Sequence, residues 1–425
     1  MYLSSIARRR PDAEHAADRS RQRGLTAVGG NVFALGTVSL LTDISAEMVT
    51  AILPVYLVFG LSMSPLAYGT IDGIYTGATA LLRLVGGYLA DRIRKPKAVA
   101  GIGYAMSALA KLGLLAVGRS AGAIGLVIAA DRAGKGLRTA PRDALITLSA
   151  PPQALGRAFG VHRTMDSVGA FLGPIVALAV LAATSQAIDA VLVTSFCIAA
   201  LGVLVLALFV RDRHDERPPS AVVSPRQALK LLRAAPVRRL LVAACLLGFS
   251  VIGDGFVYLL LQRREEVSIG SFPLLAVGTS LAYLVLAFPI GALADRIGRV
   301  PIVLGGYTAL VVVYLLLFGP LHGWPLLALV LFLYGYFYAA TDGVLIALAG
   351  PVLPEHLRTT GIALIQTGQA LTYLASSVLF GLAWQLWGPI TAVRCAAAVT
   401  VLAVTATAFL LINRSTTTTD TEVTA

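Results

Sequence analysis

Residues 87–97 read GYLADRIRKPK and residues 291–301 read GALADRIGRVP. Seven positions agree: Gly87 with Gly291, Leu89 with Leu293, Ala90 with Ala294, Asp91 with Asp295, Arg92 with Arg296, Ile93 with Ile297, and, in the loosest register, Pro96 with Pro301. Each stretch follows an apolar block long enough to cross a bilayer. A second echo lies downstream: Asp143, Arg157 and Gly160 in the first half answer Asp342, Arg358 and Gly361 in the second. Recurrence at a spacing of roughly 200 residues favours a duplicated unit over chance likeness between short loops. Two six-helix bundles facing each other across a central cavity are the expected architecture.

Composition supports a membrane setting. The chain has 425 residues, 57% hydrophobic and 13% charged, too little polar surface for a soluble protein of this size. A hydrocarbon core of about 30 Å needs roughly 20 apolar residues as helix, and many blocks have that length. Only helices or closed barrels satisfy backbone polar groups in lipid. Unbroken runs such as Leu326–Leu333 exclude the alternation of a barrel strand, which leaves an all-α membrane protein. Cys197, Cys245 and Cys395 sit in apolar blocks without metal-ligand spacing and read as small buried hydrophobes. The Arg-rich start (Arg8, Arg9, Arg10, Arg19, Arg21, Arg23) has no apolar core before a cleavage site, so the first span is expected to direct insertion.

Twelve spans are expected. Six fall at about 30–58, 67–90, 98–118, 122–144, 158–183 and 190–210. Six more fall at about 238–261, 270–293, 300–319, 325–349, 359–384 and 389–412. The expected divisions are an N-terminal segment (1–29), a first bundle (30–210), a Pro-containing charged linker (211–237), a second bundle (238–412) and a Thr-rich tail (413–425). Basic residues cluster in alternate loops. Arg92, Arg94, Lys95 and Lys97 follow span 2, Arg157 follows span 4, and Arg211, Arg213, Arg217, Arg226, Lys230, Arg233, Arg238 and Arg239 follow span 6. Arg296 and Arg299 follow span 8, and Arg358 follows span 10. The opposite loops offer Arg119 and the Arg263–Glu266 group. This bias puts both termini in the cytoplasm of a multi-pass inner-membrane protein. The net charge of +12 is thereby a topology signal, and no nucleic-acid partner is expected.

With those motifs in place, nearly the whole chain resembles the major facilitator superfamily. The family's loop signature, Gly-x-Leu-Ala-Asp-Arg-x-Gly-Arg, is matched in full by residues 291–299, whereas the first copy has Arg94 and Lys95 at its last two positions. The family's span-4 signature is matched by Arg132, Gly136 and Ala140. The span-5 signature of its antiporters, Gly-x-x-x-Gly-Pro, is matched by Gly169, Gly173 and Pro174, although Ala177 and Leu178 replace the trailing glycines. The stretches DISAEM (43–48) and DRAGKGLRTAPRDAL (131–145) resemble a less-studied bacterial and archaeal branch. The resemblance implies that Arg132 tunes a proton site. It also implies that Asp91 with Arg92, and Asp295 with Arg296, work as conformational latches that pair in one state and part in the other. Arg92 and Arg296 read equally well as topology charges.

Charges deep in lipid must be paired, watered or neutralised. Asp43 and Glu47, four apart, share one face of span 1, with Asp43 near mid-bilayer, and are candidates to carry a proton; the alternative is an ion pair with a span-4 cation. Asp131, Lys135, Arg138 and Arg142 form one stripe of span 4, with Arg132 on a neighbouring face. Asp131 joins the proton-coupling candidates, and Lys135 and Arg138 those for an anionic group of a substrate. Arg138, Arg142 and Asp143 read alternatively as a gate lattice with Asp91. His162, Arg163 and Asp166 read as a satisfied interhelical network. The second half has fewer buried charges, Asp254, Asp342 and Arg394. Asp254, Tyr334, Phe337 and Tyr338 are candidates for substrate contact, with packing the plainer role for the aromatic residues.

Gly134-Lys135-Gly136 lacks the spacing of a phosphate loop, so no nucleotide site is implied, and no nucleophile–base set marks an enzyme. The expected function is secondary active export of a small amphiphile in exchange for protons, by a monomer with no cofactor beyond the proton gradient. Uptake of an anionic metabolite by symport is the alternative. A membrane sensor that binds without transporting is the third.

Overall fold

The computed structural model describes residues 29–93, 95–118, 120–151, 154–212, 231–342, 344–349, 352–354 and 358–412. Most of the expected N-terminal segment, most of the linker and the tail lie outside these residues.

The apolar blocks fold as long helices. In the first half these are α1 (Gly30–Val55, ending in a π-turn at Tyr56–Gly60), α2 (Pro65–Ile93), α3 (Pro96–Ala116), α4 (Ala121–Ser149), α5 (Leu155–Ala183) and α6 (Ile188–Phe209). Prolines open α2 and α3, where a missing N–H costs nothing. In the second half α7 (Ala235–Ser250) and α8 (Asp254–Glu265) together make the seventh span. Then come α9 (Pro273–Ile297), α10 (Arg299–Leu316), α11 (Trp324–Thr341) with its short continuation α12 (Val344–Ala349), α13 (Arg358–Trp387) and α14 (Pro389–Ile412). Among the described residues, ten of the twelve spans are long and apolar enough to cross a bilayer on their own. The other two are α2 and α4, and α4 carries the charged stripe.

Two expected spans are interrupted. The seventh breaks at Val251–Gly253 and the tenth at Asp342. Bare backbone at membrane depth needs partners, and the seventh span finds them in hydroxyl groups. Thr400 Oγ1 donates to the Ser250 carbonyl at 2.9 Å and Ser376 Oγ to the Val251 carbonyl at 2.8 Å. The Ile252 N–H donates to the Tyr314 hydroxyl at 3.0 Å.

The duplication seen in sequence recurs in the packing. In the first half α1 packs on α5 and α6, α2 on α4, and α3 on α4 and α6. In the second, α7 packs on α13 and α14, α9 on α11, and α10 on α11 and α14. Even single bonds repeat: Ser45 binds Ser195 and Thr400 binds Ser250, both across 150 residues. The outer surface is apolar, with Leu126, Phe209, Phe288 and Leu402 among its exposed side chains, as a lipid-facing surface requires. Cys197 and Cys395 belong to that surface and only Cys245 is partly buried, which corrects their expected burial; lipid solvates a thiol in an apolar helix on either face.

The two halves meet most extensively through α2 and α13, and much less through the equivalent pair α9 and α5. The α2–α13 contact is close at the far end of the molecule, where α1 gives way to α2. There Gly69 and Gly73 lie against the Ser377 and Leu374 carbonyls, and Gly381 against that of Pro65. Phe256 of α8 stacks edge-on against Tyr68 of α2 at 4.7 Å and Phe380 of α13 at 4.8 Å, an aromatic seal between the halves.

Candidate functional site

Six charged residues on α4 organise the interior of the first half. Arg132 is buried, ion-paired with its neighbour Asp131, and stacked on the Tyr75 ring of α2 at 3.9 Å. Asp131 turns toward α3, where Lys111 Nζ lies 3.3 Å from its Oδ1. Lys111 is only 3% exposed and also donates to the Ser107 carbonyl at 2.8 Å. One carboxylate is therefore shared by two cations. A cavity of about 20 Å³ beside this triad, lined also by Thr50, Tyr75 and Leu114, has room for one water. Arg138 is buried over the Tyr104 ring of α3 at 4.6 Å, with one guanidinium nitrogen lacking a hydrogen-bond partner.

Lys135 faces α1. Asp43 and Glu47 are both within its electrostatic reach. Asp43 also meets the Asp166 carboxyl of α5, so two acids stand side by side. The span-5 glycines permit this approach: a Cβ at Gly169 would stand 2.6 Å from the Leu40 carbonyl and 3.2 Å from Asp43 Cβ. One at Gly173 would stand 2.6 Å from Glu47 Cβ. The glycine pair that resembles an antiporter signature thus sets the α1–α5 crossing where the acids lie. Glu47 interacts with Lys135, Asp43 and Arg132, and across the gap with Asp254.

Asp254 opens α8 immediately after the break. It accepts hydrogen bonds from the hydroxyls of Tyr334, at 3.0 Å, and Tyr338, both on α11. Phe337 is 3% exposed and packs in the core of the second half, against Tyr307 at 5.2 Å and Tyr338 at 5.3 Å.

Toward the end that carries the termini, Arg142 pairs with Asp143 at 3.0 Å and approaches Asp166 at 4.0 Å. His162 shares a 2.8 Å hydrogen bond with Ser39. Asp91 and Arg92 close α2, but their side chains lie outside the described residues. Asp295 is largely exposed and lies 3.8 Å from Arg299 at the start of α10; Arg296 is exposed. Near them Tyr283, Asp295, Arg299 and Asp342 line an open pocket of about 270 Å³.

Reasoning from sequence overlooked Lys111 and Asp72. Asp72 of α2 accepts hydrogen bonds from Tyr373 and Ser377 of α13. Lys111 is the single Asp, Glu, Lys or Arg of the stretch 98–118, and the rule that flagged Asp43 would have found it.

Two pseudo-equivalent six-span bundles with acids and bases buried between and within them define a membrane transporter, not an enzyme. The Major Facilitator Superfamily model matches residues 35–269 and 260–424, and the chain belongs to that family. An uncharacterized MFS-type transporter of Methanocaldococcus jannaschii is 30% identical over 365 residues, covering 84% of this chain and 89% of the relative. An uncharacterized protein of Mycobacterium tuberculosis is 33% identical over 156 residues, 37% of this chain and 38% of its own length. Among solved structures, a mutant of the nucleoside transporter NupG aligns with a TM-score of 0.78 at 15% identity, over 90% of this chain and 100% of that one. A POT family transporter in complex with 5-aminolevulinic acid aligns at 0.73 with 12% identity, over 90% and 96%. The human organic anion transporter MFSD10 aligns at 0.61 with 18% identity, over 89% and 99%. At these identities the structural likeness concerns the fold alone.

Proposed function

We propose that the chain exports a small amphiphilic molecule across the cytoplasmic membrane in exchange for protons, as a monomer with both termini in the cytoplasm. The observation that carries this is the Asp43–Asp166 carboxyl pair beside Lys135, at the crossing set by Gly169 and Gly173. Two adjacent carboxyls readily share one proton. A cation that approaches or withdraws as the bundles rock changes how tightly that proton is held. Glu47, reaching both Arg132 and Asp254, ties the charge state of the first half to the second.

In this reading Asp131, held by two cations, anchors Arg132 in place. Asp254 with Tyr338, and Lys135 with Arg138, offer opposite polarities to a substrate with both polar and apolar parts. The bias of the basic loops supports placing the far end outside, and the far-end seal then corresponds to a state open toward the cytoplasm, with Asp295 paired across its own turn to Arg299. The driving force is adequate: each charge crossing 100 mV contributes about 2.3 kcal/mol and each pH unit about 1.36 kcal/mol.

Reconstituted protein should move substrate against its own gradient when a proton gradient is imposed, and Asp43→Asn should abolish this while leaving counterflow. Uphill transport that survives collapse of both pH gradient and potential would sink the proposal. The unpartnered nitrogen of Arg138 favours a second reading, proton-driven uptake of an anionic metabolite. The direction of flux in oriented vesicles separates the two.

A further inference from the structure

Asp72 stands on α2 and turns its carboxylate to the other half of the molecule. Its Oδ2 accepts one hydrogen bond from the Tyr373 hydroxyl at 2.9 Å and another from Ser377 Oγ at 2.7 Å. Those donors lie four apart on α13, so one face of that helix presents both. The third side is closed by the break in the seventh span, where a Cβ at Gly253 would overlap the same oxygen. The glycines of α2 remove the side chains that would otherwise hold the two helices apart: Gly69, about one turn before Asp72, and Gly73, next to it, admit the backbone of α13. The other titratable groups around it are Tyr68 of its own helix, Asp254 of α8 and, beyond Tyr373, Tyr338 of α11.

We infer that Asp72 is the latch between the halves at the far end, and that it sets the balance between the two access states of the transporter. The inference rests on the alternating-access reading above, but not on the identity of the coupling ion or the substrate. Opening the far end must carry α13 away from α2. Both hydrogen bonds then break together, and the carboxylate passes from the interface into water. Leaving either donor or the acceptor buried without its partner is costly. Asp72 therefore ties the far end shut through a single side chain whose two bonds are lost together, and among the described residues no equivalent hydrogen bond joins α9 to α5.

The test uses the full-length protein in nanodiscs, with Cys197, Cys245 and Cys395 replaced by Ala. Spin labels go at Ala121→Cys and Gln385→Cys, exposed positions on opposite halves at the far end. Distances between them are measured by pulsed electron resonance, with no gradient and no substrate present. The parent should give one dominant short-distance population. Asp72→Ala should raise the ratio of long to short distances by about tenfold or more. Asp72→Asn should raise it less, because an amide oxygen still accepts. Tyr373→Phe combined with Ser377→Ala removes the donors and leaves the carboxylate in place, and should reproduce the alanine result. It stands alone if Asp72→Ala does not fold. Parent-like distributions from the double variant, or from a folded Asp72→Ala, overturn the inference. A protein whose transport proves independent of protons would still show the shift, so the two proposals fail separately.

Discussion

A methyl group added at Gly173 would stand 2.6 Å from Glu47 Cβ and 2.8 Å from the Ile44 carbonyl oxygen. Unstrained carbon atoms sit about 3.5–4.0 Å apart, so α5 must retreat from α1 by about 1 Å. Neither neighbour can yield, because one is backbone and the other is the root of a side chain. Sliding along the helix axis is blocked as well, since Gly169 is in equally close contact with the Leu40 carbonyl one turn earlier. Overpacking of this kind costs on the order of 1–3 kcal/mol. Gly173→Ala should therefore lower the apparent unfolding midpoint in detergent by roughly 2–6 °C. Gly160, on the same helix, has no neighbour within 4 Å of its added Cβ. Gly160→Ala should leave the midpoint unchanged or raise it slightly, through a helix-propensity gain of at most about 1 kcal/mol. Equal shifts for the two variants, read by fluorescence-detected thermal unfolding, would refute the assignment of Gly173 as the spacer of the α1–α5 crossing.

Asp131→Asn should destabilise more than Lys111→Met, by about 3–5 against 1–3 kcal/mol, because the first strands two buried cations and the second leaves Asp131 its arginine; thermal midpoints rank them. Tyr314→Phe removes the acceptor of the Ile252 N–H and should cost about 1–3 kcal/mol, with the seventh-span break as the first region to gain hydrogen exchange. Asp43→Asn and Asp166→Asn should each uncouple substrate flux from an imposed pH gradient while counterflow continues; gradient-driven uphill transport by either variant contradicts the shared-proton reading.

The twelve spans were legible because lipid leaves a helix no alternative, and the loop motif with its repeat gave the two-bundle plan. The breaks were not. SVIGD (250–254) contains no proline and sits in an apolar run, and the hydroxyls that satisfy its backbone come from Tyr314, Ser376 and Thr400, far along the chain. The candidate site divides in the same way. Asp43, Glu47 and Arg132 could be singled out because an ionised group in a span is costly wherever it lies. Partners could not be assigned, since a helical stripe fixes direction only about its own axis. Asp131 shares a stripe with Lys135, yet Asp131 pairs with Lys111 on α3 while Lys135 faces the acids of α1. Asp166 read as part of a satisfied network, and it was the crossing of α5 over α1 that brought it to Asp43.

The polarity of α4 bears on how the protein is made. Three of its charges, Asp131, Arg132 and Lys135, lie near the middle of the span, and each opposes partitioning into hydrocarbon by roughly 2.5–3.5 kcal/mol. Its leucines and isoleucines return only about 0.5 kcal/mol apiece. As a nascent segment α4 has no stable place in lipid until Lys111 and Tyr75 are there to receive it. Both precede it in the chain, on α3 and α2, so the ribosome delivers the acceptors before the helix that needs them.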